Sequence, residues 1–83
     1  MSVLQKIQFQ RIDGDGAMAF LLYGLVELSD GSGYKLEVRE EHYNARGDNV
    51  GFERNNYLYD HYDEAHEQYE TWVQEAVEAG WQS

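Results

Sequence analysis

Three glycine-bearing segments, Asp13-Gly14-Asp15-Gly16, Ser29-Asp30-Gly31-Ser32-Gly33 and Asn44 to Asn49, divide most of this chain into stretches of strand length. Glycine reaches positive φ without steric cost, and Asp, Asn and Ser hydrogen-bond their own turns, so such segments end regular structure. The stretches between them carry a two-residue period. In Val3 to Ile12, Ile7 and Phe9 alternate with Lys6, Gln8 and Gln10, which predicts a strand with one wet face. In Tyr34 to Tyr43, Tyr34, Leu36 and Val38 point one way and Lys35, Glu37 and Arg39 the other. Val50 to Tyr57 can return as a fourth strand using Val50 and Phe52. Ala17 to Leu28 is apolar on both faces and fits a buried central strand or a short buried helix; the flanking turns favour a strand, with Gly24 as a bulge.

The C-terminal segment changes period. Tyr62, Ala65, Tyr69, Trp72, Val73, Ala76 and Val77 recur at helical steps and form one apolar stripe. Asp60 is placed to cap the N-terminus and Asp63 to answer it. Gly80 suits the left-handed residue after a helix, and Trp81 can fold back on Ala76 in a Schellman-type ending. A helix is therefore expected from about His61 to Ala79. The fold class expected is α+β: a three- to four-stranded antiparallel meander with one C-terminal helix packed on one face. The 83 residues fit a single domain, 1–83. A chain this short buries only about 60% of its unfolded surface. An apolar sheet face or edge left uncovered would favour a homodimer.

Charge restricts the partners. Sixteen acidic residues face six basic ones, for a net charge of −10. Nucleic acid and anionic membranes would repel such a chain, so neither is expected as a direct partner. A basic protein surface would attract it and be reached quickly. The imbalance is uneven: every Lys and Arg precedes Asn55. The expected helix carries Glu64, Glu67, Glu70, Glu75 and Glu78 with no Lys or Arg beside them. Like charges at helical spacing cost a few tenths of a kcal/mol each, and Glu75 and Glu78 oppose the macrodipole. The functional reading is a surface that mimics a phosphate backbone or docks on a basic groove; the plainer reading is a solvated face. Tyr57 and Tyr59 share one strand face, and Tyr is enriched where binding energy concentrates. These two tyrosines and the five helix glutamates are the candidate partner-binding residues. Tyr62 and Tyr69 are assigned to the core stripe.

Other chemistry finds little purchase. There are no cysteines, so neither a disulfide framework nor a thiolate zinc site can form. His61 and His66 are five apart, which turns their rings about 140° away from each other on a helix, unlike the four-residue spacing of zinc helices. Asp13-Gly14-Asp15-Gly16 lacks the remaining ligands of a calcium loop, and Arg46-Gly47-Asp48 reads as a turn. There is no G-x-S-x-G motif and no P-loop, so no catalytic residue, metal or cofactor is expected. Met1 leads into a strand-like segment rather than a basic and then apolar leader, so a cytoplasmic protein without a signal peptide is expected.

The tail Tyr59-Asp60-His61-Tyr62-Asp63-Glu64-Ala65, with Ala79-Gly80-Trp81, resembles the closing strand and helix of WGR domains over about a quarter of the chain. The Trp-Gly-Arg signature itself is not in the sequence, and no functional residue carries across. In size, acidity and class the chain also resembles the small inhibitors of phages and mobile elements, including anti-CRISPR proteins and DNA mimics. That resemblance implies a non-catalytic inhibitor that blocks a basic nucleic-acid-binding site on its target. The alternative is an adaptor or toxin-neutralising immunity protein that binds through a tyrosine-rich surface.

Overall fold

The computed structural model describes residues 2–83. Four antiparallel strands follow one another as a meander in the order β1 (Ser2–Ile12), β2 (Met18–Glu27), β3 (Tyr34–Tyr43) and β4 (Asn49–Tyr59), and one helix, α1 (Tyr62–Glu78), lies on a single face. The stretch that was apolar on both sides is the inner strand β2, paired along its length with β1 and β3. Gly24 does not form the expected bulge. It stays in register between Lys6 and Glu37, and the Glu37 side chain leans over it. The register shifts fall instead between Val3 and Gln5 in β1 and opposite His42 and Tyr43 at the start of β4.

The registers fix two faces. Rows running across the sheet such as Ile7–Tyr23–Val38–Asn55 and Phe9–Leu21–Glu40–Glu53 point to the helix. The alternate rows, such as Gln8–Leu22–Arg39–Arg54, point away from it. Between sheet and helix lie two buried clusters. One joins Phe9, Ala19 and Leu21 to Ala76 and Trp81; the other joins Leu25 and Leu36 to Ala65 and Tyr69. Ile7, Tyr23 and Val73 touch both and make the core continuous. Burying a side chain such as Phe9, Leu25 or Leu36 stabilises the fold by about 1.5–3 kcal/mol.

The helix crosses the sheet diagonally. Its first turn meets β3 through Tyr62 against Tyr34, and its last turn meets β1 and β2 through Ala76 among Phe9, Ala19 and Leu21. Its N-cap is His61, which makes no side-chain capping bond, so the expected Asp60 cap does not form. The other end follows the sequence expectation. Gly80 takes φ +96°, Gly80 N–H bonds Val77 O at 3.1 Å and Trp81 N–H bonds Ala76 O at 3.0 Å, a Schellman ending that buries the indole beneath the helix. The next residue, Gln82, exchanges two backbone hydrogen bonds with Gln10 and so occupies part of the free edge of β1. Strands of ten and eleven residues extend well past a diagonal helix, which accounts for extents of 45 × 24 × 15 Å. No helix among the described residues is long and apolar enough to cross a membrane.

Val50, Phe52 and Val77 differ from their expected places. Val50 and Phe52 are exposed, because the face of β4 toward the helix is carried by Tyr57 and Tyr59. Val77 is 56% exposed, at the margin of the stripe, which Ala65, Tyr69 and Ala76 are enough to close.

Candidate functional site: an acidic helix side with a groove

All five candidate glutamates of α1 are exposed, but they do not form one row. With about 100° per residue, Glu64, Glu67, Glu75 and Glu78 fall within an arc of about 80° that runs from the outer face, opposite the buried Ala65, Tyr69 and Ala76, to one flank. Glu70 falls on the other flank, where its carboxylate lies 3.4 Å from His66 Nε2. Glu78 accepts a hydrogen bond from the Gln74 amide at 3.2 Å. The two candidate tyrosines separate as well. Tyr57 is 43% exposed and stands edge-on to Trp72, with ring centroids 5.2 Å apart. Tyr59 is half-buried and packs with the Leu25–Leu36–Tyr69 cluster. Tyr69 belongs to the core as expected, while Tyr62 is 40% exposed, stacked on His66 and edge-on to Tyr34. Two aromatic groups therefore border the helix, Tyr57 with Trp72 and Tyr62 with Tyr34 and His66.

The diagonal crossing leaves one corner of the sheet uncovered, and a groove of about 300 Å³ opens there. Its floor is apolar, formed by Leu21, Tyr23 and Val38 below and by Ala76 and Trp81 on the helix side. Its polar lining includes three carboxylates, Glu75 from the helix and Glu40 and Glu53 from the sheet. Glu40 and Glu53 are direct partners in the β3–β4 ladder. The phenol of Tyr23 registers this surrounding: burial raises its pKa, and the charges of Glu40 and Glu75 raise it further. Sequence reasoning found Glu75 but missed Glu40 and Glu53. Counting outward from the Asn44–Asn49 turn pairs them, although only the helix angle shows that Glu75 joins them.

The cations lie elsewhere. Lys6, Lys35, Arg39 and Arg54 are on the face of the sheet away from the helix, and Arg46 is in a turn. On the helix side the registers place only Arg11, whose guanidinium sits 4.6 Å above the Trp81 ring and 3.8 Å from Asp13. The other ion pairs of Lys or Arg among the described residues, Lys35–Glu37 and Arg39–Glu41, are on the far face. The net negative charge is thus concentrated on one side, where a basic residue would meet several carboxylates with Arg11 as the neighbouring guanidinium. Of the histidines, His42 approaches Glu40 at 3.4 Å, and His61 and His66 lie at the start of the helix. No group of three or more His, Cys, Asp or Glu among the described residues is disposed to hold a metal ion.

The chain matches no protein-family model, no curated protein and no solved structure. The site must accordingly be read from its own chemistry.

Proposed function

We propose that this chain is a non-catalytic binding protein whose acidic helix side engages a basic surface of another protein, and that the target surface is one that otherwise holds nucleic acid. The observation that carries this reading is the separation of charge: the helix carboxylates and the Glu40–Glu53–Glu75 groove on one side, most of the cations on the other. The spread flank of Glu64, Glu67, Glu75 and Glu78 supplies long-range steering. The groove suits a lysine or arginine side chain, whose methylene stem would lie on Leu21, Val38 and Trp81 while its charge meets the carboxylates. Tyr57 and Trp72 provide an aromatic border of the kind that concentrates binding energy. An inhibitor competing with nucleic acid, as in phage anti-defence, is the role that fits this chemistry.

A second reading, an adaptor or immunity protein, draws on the exposed tyrosines Tyr57 and Tyr62. Affinity capture from a bacterial lysate with graded salt washes separates the two. The charge reading expects a nucleic-acid-binding partner that is released as salt rises to about 0.5 M, where the Debye length has shrunk to a few ångströms, and that is not captured by Glu64→Lys/Glu75→Lys/Glu78→Lys. A partner that resists salt, is retained by the triple variant and is lost in Tyr57→Ala belongs to the adaptor reading.

A further inference from the structure

The face of the sheet away from the helix carries a different pattern, and it is self-complementary. Down β3 it presents Lys35, Glu37, Arg39 and Glu41, alternating in sign. Down β2 it presents the half-buried Leu22 and Phe20, while Gly24 and Val26 on the same face are already buried within the chain. On the edge strand β4 it exposes Leu58 and Phe52, at 72% and 54%. No element covers this face, since the one helix lies on the other side. We propose that it is a homodimer interface, in which two copies stack sheet on sheet about a twofold axis running across the strands between Glu37 and Arg39.

That axis is specified by the residues. It lays β3 antiparallel over β3 of the second copy, so that Lys35 meets Glu41 and Glu37 meets Arg39, each contact occurring twice. The same operation places Leu58 over Phe52, and Phe20 over the position of Val26, whose side chain is already buried within its own copy. Leu22 comes over the dip at Gly24, where the Glu37 side chain leans in. Arg54 falls over Asn56, away from the like charge of Arg39 beside it in the ladder. An isologous interface requires such reciprocity, residue i to j and j to i. The area suffices: four strands about 4.8 Å apart and about ten residues long at about 3.3 Å each offer about 600 Å² per copy. The total of about 1,200 Å² reaches the range of specific interfaces. The chain is also of a size whose own core is limited. Both acidic helix sides would face outward, leaving the reading above intact but bivalent; the dimer does not depend on it.

The test is the mass in solution at about 100 μM, about a hundredfold above a micromolar Kd. The wild type is expected at twice the 9.7 kDa chain mass. An acidic-column variant, Lys35→Glu/Arg39→Glu, and a basic-column variant, Glu37→Lys/Glu41→Lys, are each expected at the chain mass. Their equimolar mixture is expected to return to the dimer mass as a heterodimer, a rescue that a folding defect cannot produce. Leu58→Asp alters a side chain the monomer does not bury, and it should also give monomer with the wild-type circular dichroism spectrum. A monomeric wild type overturns the proposal. So does a dimer that survives both column variants or Leu58→Asp, or a mixture of folded column variants that stays monomeric.

Discussion

Glu40 and Glu53 stand directly opposite one another in the β3–β4 ladder, on the side of the sheet that carries the helix. Like charges in that position destabilise a strand pair; Glu40 lies 3.4 Å from His42 Nε2, but among the described residues no ion pair or hydrogen bond of the Glu53 side chain offsets the repulsion. Glu53→Gln should therefore stabilise the protein by about 0.2–1 kcal/mol, read as a rise of a few degrees in Tm. The same substitution should weaken capture of a basic partner. A variant more stable than wild type and weaker in binding marks the pair as functional; one less stable in melting would show that the pair supports the fold.

Gly33 closes the β2–β3 turn at φ +143°, and a Cβ there would run into the Tyr59 carbonyl. Gly33→Ala should cost more than about 1 kcal/mol, because both the backbone conformation and the space exclude a side chain. Chemical denaturation measures it. Gly47→Ala is the control: its φ is also positive, at +89°, but the space around it is open, so its loss should be smaller.

Trp81 closes one core cluster, caps the helix through its backbone N–H and lies under the Arg11 guanidinium. Trp81→Ala should cost about 3–5 kcal/mol. Because Gln82 follows it onto β1, amide exchange at Gln10 should accelerate in the same variant. Protection at Gln10 equal to wild type would separate the tail from the helix ending.

Alkaline pH should destabilise the fold through two phenols. The pKa values of Tyr23 and Tyr69 are both raised above the ordinary tyrosine value near 10, first by burial and then by neighbouring glutamates. The folded state then holds these protons when the unfolded chain has released them. Their contribution is fully present below pH 10 and is lost as pH rises from there through the folded pKa values. Melting temperatures measured from pH 8 upward should fall beyond pH 10, less steeply in Tyr23→Phe. A Tyr23→Phe slope equal to wild type would remove Tyr23 from this account.

The meander and the helix were legible in the sequence because each rests on local rules. Alternation in Tyr34–Tyr43 needs one wet face, and Gly80 followed by Trp81 needs only the Schellman geometry. The readings that failed depended on neighbours several strands away. Val50 and Phe52 have strand chemistry, but the diagonal helix selects Tyr57 and Tyr59 as the inward face of β4. Asp60 has capping chemistry, yet the chain leaves the strand with His61 at the cap position. The candidate site was half visible for the same reason. The helix glutamates could be read directly, whereas Glu40 and Glu53 acquire meaning only when the sheet register brings them to the groove beside Glu75.

The helix side, and not the far face of the sheet, should receive basic groups. Amide chemical-shift mapping of the labelled protein against a short lysine- and arginine-rich peptide tests it directly, with a charge-neutral peptide of equal length as control. Shifts should concentrate at Glu40, Glu53, Tyr57, Glu64, Glu75 and Trp81 and diminish as salt is added. Shifts concentrated at Leu22, Arg39 and Arg54, or spread evenly over both faces, would contradict it.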